Sequence, residues 1–266
     1  MEIAWSLVLF TALTGCGGWL LAAVAIDEFA QKAPRADFPA AIAGLVLLAV
    51  GGLASVTHLA HPENMLAALN HPTSGIFVEA VLVGIAAAFA IVYLVVYGSS
   101  VAVRRVCAVA GALFGIALSF MAGHSYIMPA VETWNTLLLP LAYLGTAMAM
   151  GVALYCLIAC VRGQGADAGA FFALLAIAGV VAAVACGLYF GHAAAAAELS
   201  PLYPGAAILL GGVVTAACGA AGAWRAGWRM GAAVVALVCA VVGAVCLRVA
   251  MWLAYVPLDN FFGLTF

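Results

Sequence analysis

The sequence predicts an all-α integral membrane protein, an eight-transmembrane-helix bundle with both termini outside. Three observations support this prediction: the composition, the number of apolar runs and the distribution of cations. The chain has 266 residues, of which 68% are hydrophobic and 7% charged, and its mean hydropathy is +1.26. A water-soluble protein of this length could not bury so much apolar surface, so the solvent of this chain must be lipid.

Eight apolar runs are each long enough to cross a bilayer as a helix, which takes roughly 20 residues. Helices satisfy their backbone hydrogen bonds within one span, as a lipid environment requires. The runs are far longer than the short alternating segments of a β-barrel. We expect one transmembrane domain over residues 1–266, with spans near 4–26, 39–59, 76–98, 105–124, 136–160, 169–191, 205–223 and 230–252.

The cations give the direction of the spans. Seven of the eight Lys and Arg residues fall in or beside the odd-numbered connections: Lys32, Arg35, Arg104, Arg105, Arg162, Arg225 and Arg229. Connections rich in Lys and Arg stay in the cytoplasm. The sequence therefore predicts a multi-pass protein of the cytoplasmic membrane, with both termini and the even-numbered connections on the extracytoplasmic side.

Composition also excludes several classes of function. The net charge is −2 and the sequence has no basic run, so nucleic acid is not an expected partner. The eight cysteines form no CxxC pair, and we expect no metal site in this chain. The middle of the spans holds almost no ionisable residue, which disfavours an ion-coupled transporter.

The connection between spans 2 and 3 is the richest polar stretch. Residues 62–70 are predicted to form a short interfacial helix that begins at Pro62 and lies on the outer membrane surface. Ser74 is expected to cap span 3. Glu79 would then lie about 7 Å into that span, at 1.5 Å per residue.

His58 closes span 2, and Glu79 opens span 3. Together they would frame a pocket at the lipid–water boundary. A neutral imidazole accepts a proton near neutral pH, and a partly buried carboxylate can pass it on. Such a pair suits a redox ligand that loses two protons along with two electrons, such as a quinol. Both residues also have a structural interpretation, as an interfacial histidine and as an acid at a helix N-terminus.

The segment SVTHLAHPENMLAALNHPTSGIFVE, residues 55–79, resembles the dimethyl sulfoxide reductase membrane-anchor family. The family shows a His-Leu pair, a proline soon after, a short amphipathic stretch ending in Leu-Asn, and a glutamate opening the next helix. Further agreements are a tyrosine and a Thr-Trp pair after span 4, here Tyr126 and Trp134 with its preceding threonine. An arginine followed by aromatics, here Arg248, lies in the last span. The resemblance runs over most of the chain.

The resemblance implies a subunit that oxidises menaquinol, without being the terminal reductase itself. The electrons would pass to an iron–sulfur subunit docked on the outer face and then to a molybdopterin catalytic subunit. These partners would hold the iron–sulfur clusters and the molybdenum cofactor. The family's quinol-site residues carry over onto His58 and Glu79, and Arg248 is a further candidate.

From this we hypothesise that His58 accepts a quinol proton and that Glu79 relays protons outward. Tyr126 and Trp134 would line the pocket around the quinol ring. Arg248 either holds the pocket carboxylate or stabilises the developing quinone oxygen. His61 is an alternative to His58 as the quinol ligand. Competing interpretations of the whole chain are a haem b quinol dehydrogenase subunit, in which facing histidines ligate iron, a small-molecule membrane transporter and a purely structural anchor.

Overall fold

A computed structural model describes residues 2–57, 71 and 73–255. This part of the chain is all-helical and contains eight helices long and apolar enough to cross a membrane. The fold class predicted from the sequence is therefore confirmed. His58, His61 and the predicted interfacial helix 62–70 lie outside the described residues. The helices are α1 Trp5–Ala30, α2 Pro34–Val56, α3 Gly75–Val95, α4 Val101–His124, α5 Leu138–Val161, α6 Gly169–Ala196, α7 Leu202–Trp224 and α8 Arg229–Leu253.

The first connection is shorter than the sequence suggested. We expected residues 27–38 to join the first two spans, but only residues 31–33 lie between α1 and α2. The Asp27 carboxylate accepts hydrogen bonds from the backbone N–H groups of Lys32, at 2.7 Å, and Ala33, at 2.9 Å. These bonds satisfy two backbone N–H groups at a sharp turn. The acidic residues on either side of the turn, Asp27, Glu28 and Asp37, are helical and buried.

The connections that carry the cations meet at one end of the bundle. The backbone N–H of Arg35 donates to Gln164 Oε1 at 2.6 Å, and Arg229 Nη1 donates to the Gly165 carbonyl at 2.6 Å. We call this end of the bundle the basic end. The far end of the bundle is called the opposite end. The basic end contains the connections 31–33, 96–100, 162–168 and 225–228. The opposite end contains 125–137 and 197–201.

Helix α1 runs through the middle of the bundle, and most of its residues are buried between α2, α4 and α5. Glycine allows its closest contact. A Cβ added to Gly18 would lie 2.5 Å from the carbonyl oxygen of Gly115 on α4, closer than packed atoms allow. Small residues give helix backbones the dispersion contact that holds a bundle together in lipid.

Helix α7 contains a π-helical segment, Leu209–Val214. In it the Thr215 hydroxyl donates to the carbonyl of Leu210, five residues earlier, at 2.9 Å. The wider turn carries Gly211 against α8, where an added Cβ would lie 3.0 Å from the Cα of Gly243. The π segment thus lies where the backbones of α7 and the last helix approach closely.

Candidate functional site

Glu79 lies at the opposite end, one turn inside α3. Its side chain is buried, with 9% of the residue exposed. The Ser74 hydroxyl caps this helix by accepting the N–H of Phe77 at 3.1 Å, which confirms the predicted cap. The Ser125 hydroxyl, just beyond α4, lies 2.7 Å from Glu79 Oε1 and donates to it. A carboxyl group with a single neutral donor in an apolar layer is well placed to exchange protons.

The approach of α3 to α4 at this point depends on Gly75. A Cβ on Gly75 would lie 2.6 Å from the Ser125 hydroxyl oxygen and 2.9 Å from Ser125 Cβ. Any larger side chain would therefore push the hydroxyl away from Glu79. The glycine at the first residue of α3 is part of the geometry that pairs the serine with the carboxylate.

Arg248 is the second buried ionisable group at this end, with 1% exposed. Its Nε donates to the Thr11 hydroxyl at 2.8 Å, and Nη2 donates to the Thr11 carbonyl at 3.1 Å. Nη1 donates to the Ala244 carbonyl at 2.9 Å. The guanidinium carbon lies 4.4 Å from the ring centroid of Tyr143, a cation–π distance. Within the described residues, no carboxylate contacts this cation.

Aromatic side chains fill the space beside Arg248. The ring centroid of Tyr126 lies 5.7 Å from that of Trp134, 6.0 Å from that of Tyr143 and 5.9 Å from that of Trp252. The Trp134 indole N–H donates to the Met251 carbonyl at 2.9 Å, which fixes the 125–137 connection on α8. The result is an aromatic wall at this end of the bundle that includes Tyr126 and Trp134.

Tyr126 links the two ionisable groups. It follows Ser125, which binds Glu79, and its ring packs on Tyr143, which lies under the Arg248 guanidinium. Burial raises the pKa of Tyr126, so its hydroxyl stays protonated at neutral pH and can donate a hydrogen bond. The structure therefore brings four predicted site residues into one layer: Glu79, Tyr126, Trp134 and Arg248.

The predicted alternative in which Arg248 holds the pocket carboxylate is not observed. Glu79 bonds to Ser125, and Arg248 bonds to α1 and to its own helix. The sequence does not indicate that Ser125, Thr11 and Tyr143 are partners of these groups. A hydroxyl or tyrosine in an apolar span does not by itself indicate which residue it contacts, and these pairs lie up to 237 positions apart in the sequence.

The other histidines at this end have separate surroundings. The His124 ring packs on Phe120, with centroids 6.0 Å apart. His192 Nε2 lies 3.3 Å from the Glu132 carbonyl oxygen. Neither side chain is directed at the other in these contacts, so the described histidines give the haem interpretation no support.

A second buried polar cluster lies at the basic end, and sequence reasoning missed it. Glu28 Oε1 accepts the Tyr93 hydroxyl at 2.7 Å and lies 2.7 Å from Arg104 Nε. Asp37 Oδ1 accepts the Tyr155 hydroxyl at 2.8 Å. Both acids are 1% exposed. The side chains of this basic-end network come from α1, α2, α3, α4 and α5. Glu28 is paired with a cation, whereas Asp37 is bonded only by the Tyr155 hydroxyl in the described residues.

The fold and the two clusters define a polytopic helical membrane protein with a buried polar cluster at each end. Comparison with protein families then identifies the group: the chain belongs to the DMSO reductase anchor subunit (DmsC) family, whose model matches residues 1–209. No curated protein sequence matches the chain. The predicted resemblance is confirmed, and the chain is a membrane anchor subunit that associates with catalytic and electron-transfer subunits.

Proposed function

We propose that this anchor oxidises menaquinol at the opposite end of the bundle and passes both electrons to an iron–sulfur subunit, during anaerobic respiration with a molybdenum-containing catalytic subunit. The observation that carries the proposal is the layer just described. It contains two buried ionisable groups, Glu79 and Arg248, that contact no opposite charge among residues 2–57, 71 and 73–255 and are joined through Ser125 and aromatic rings. Ionisable groups left unpaired in a membrane interior mark functional sites.

The opposite end is assigned to the extracytoplasmic face. Seven of the eight Lys and Arg residues lie at or near the basic end, which the positive-inside tendency places in the cytoplasm. The iron–sulfur subunit then docks on the extracytoplasmic surface formed by the connections 125–137 and 197–201. This docking keeps the electron path short, because the aromatic layer lies only a few residues below that surface.

Each side chain has a defined task in the reaction. Oxidation breaks the two O–H bonds of the quinol and yields the quinone, two protons and two electrons. Glu79 accepts one proton and releases it to water at the outer face, while Ser125 holds the carboxylate in position. His58 accepts the other proton, with His61 as the alternative. Arg248 stabilises negative charge on the ring oxygen as its proton leaves.

The aromatic wall orients the ring and excludes water from it. Tyr126 and Trp134 present apolar faces of the kind that line ligand sites, and the Trp134–Met251 bond holds the wall in place. Protons and electrons leave on the same side of the membrane in this scheme. The oxidation step itself therefore moves no charge across the bilayer.

The test compares Glu79→Gln with Glu132→Gln in the purified complex. Glu132 lies at the same end but is exposed, so it is a matched control. We expect menaquinol-dependent turnover to fall about 100-fold in the Glu79 variant, as for loss of a general base, and to stay near wild type in the control. Turnover driven by reduced viologen, which bypasses the anchor, reports whether the complex has assembled.

Wild-type menaquinol turnover in Glu79→Gln would contradict the proposal, as would equal losses in both variants. His58→Gln and His61→Gln, measured in the same assay, identify which histidine accepts a proton. The proposal requires that at least one of them abolish turnover while leaving the viologen-driven rate intact.

A further inference from the structure

The hydroxyl of Tyr189 is an orphaned polar group inside the bundle. Tyr189 lies on α6 with 0% of its surface exposed, and its hydroxyl has no hydrogen-bond partner within the described residues. That hydroxyl is the only polar atom of the side chain. Leaving a buried donor unsatisfied costs about 1–3 kcal/mol. A phenylalanine would fill the same space without that cost, so packing alone does not explain the hydroxyl group.

Tyr189 belongs to the layer that contains the proposed quinol site. It packs in the same buried cluster as Trp134 and Tyr143. Counted along the helices, Tyr189 is seven residues from the end of α6 and Arg248 five from the end of α8. At 1.5 Å per residue both lie about 8–10 Å inside the opposite end. The two residues therefore lie at similar depths in the bundle.

The other buried tyrosines show that such a hydroxyl is normally satisfied in this chain. Tyr93 and Tyr155 donate to carboxylates at 2.7 and 2.8 Å, and Tyr143 contacts the Met251 sulfur at 3.3 Å. Glu28 Oε2 is also without a partner, but its carboxylate is already bonded through Oε1. Tyr189 is different because the only polar atom of its side chain has no hydrogen-bond partner within the described residues.

We propose that Tyr189 hydrogen-bonds one ring oxygen of the quinol or quinone, from the α6 side of the site. The inference rests on the proposed function. A protonated phenol suits both redox forms, because it donates to a quinone carbonyl and accepts from a quinol hydroxyl. With one ring oxygen held by Arg248 and Glu79, the Tyr189 hydroxyl then favours ligands that carry a second ring oxygen, while the tyrosine ring packs against either kind.

Binding by the whole purified complex tests this inference. The probes are a fluorescent hydroxyquinoline N-oxide, a redox-inert quinol analogue, and a pair of competing naphthalene ligands that carry two ring hydroxyls or one. We expect Tyr189→Phe to weaken binding of the two-oxygen ligand about fivefold, the effect of one lost hydrogen bond, and to leave the one-oxygen ligand unchanged. Thermal unfolding should be unchanged or shifted upward.

Tyr203→Phe is the matched control, because Tyr203 packs against the same cluster with a partly exposed side chain. Equal binding of both ligands in Tyr189→Phe and wild type would overturn the inference. If the variant does not assemble, binding to the wild-type complex still tests the inference. Equal affinity of the wild-type complex for the two naphthalene ligands would also overturn it. Failure of the proposed function looks different, since the analogue would then not bind to wild type at all.

Discussion

Among the described residues, the buried ion pair of this bundle lies at one end only, although Asp37 and Arg229 at that end also lack a counter-ion. At the basic end, Glu28 is paired with Arg104 and bonded by Tyr93. At the opposite end, the partners of Arg248 within the described residues are a hydroxyl, carbonyls and a ring, and the partner of Glu79 there is a serine. Paired charges fix the arrangement of helices. Ionisable groups without a counter-ion keep their capacity to bind and react, which is what a site requires.

The same kind of substitution should therefore have different consequences at the two ends, and the largest expected effect is at Arg104. Arg104→Gln leaves Glu28 buried without its cation. Breaking a buried ion pair costs about 3–5 kcal/mol, and we expect the low end because Arg104 is 19% exposed. The variant complex should unfold at lower temperature and accumulate less in membranes, as immunoblotting and thermal unfolding would show.

A double variant sharpens this prediction. Adding Glu28→Gln removes the unpaired carboxylate and should restore much of the lost stability. Arg162→Gln is the control, since Arg162 is an exposed cation at the same end. A stable Arg104→Gln complex with normal unfolding would show that the basic-end network does not hold the helices together.

Ser125→Ala is expected to have an intermediate effect, on turnover rather than on stability. It removes the one donor to Glu79 in the described residues without removing the carboxylate. A single hydrogen bond is worth about 1 kcal/mol, so menaquinol turnover should fall about fivefold, far less than in Glu79→Gln. Steady-state kinetics at saturating menaquinol measure this, with Ser119→Ala, on the helix that Ser125 follows, as the control. A loss as large as that of Glu79→Gln would assign Ser125 a role beyond positioning.

The smallest effect should come from Tyr97→Phe at the basic end. The Tyr97 hydroxyl donates to the Pro34 carbonyl at 3.0 Å, a bond worth about 1 kcal/mol. Thermal unfolding should shift slightly downward, and menaquinol turnover should not change. A change in turnover would mean that the two ends are coupled. It would contradict a purely structural role for the basic end.

Much of the fold was visible in the sequence. Eight apolar runs gave eight helices, because lipid allows few other ways of crossing a membrane. The grouping of Glu79, Tyr126, Trp134 and Arg248 at one end also followed from the count of spans. Each span reverses the direction of the chain, so residues at alternate connections must meet at the same end.

The basic-end network could not be predicted in this way. Hydropathy places a helix end at the first charges, so Asp27, Glu28 and Asp37 were assigned to a loop. Their burial depends on tyrosines that lie 65 positions away for Glu28 and 118 for Asp37. No local pattern encodes such a pairing. The same holds for Thr11, whose contact with Arg248 is fixed by helix packing alone.

The most direct test of the central claim is the affinity of the complex for the fluorescent hydroxyquinoline N-oxide in the Arg248→Gln and Arg104→Gln variants. We predict that Arg248→Gln weakens binding about tenfold or more, as for a lost charged hydrogen bond, with a smaller drop in unfolding temperature than in Arg104→Gln. We predict that Arg104→Gln leaves the affinity of the assembled fraction unchanged. Normal affinity in Arg248→Gln, with a loss of stability equal to that of Arg104→Gln, would contradict the claim and make both arginines structural.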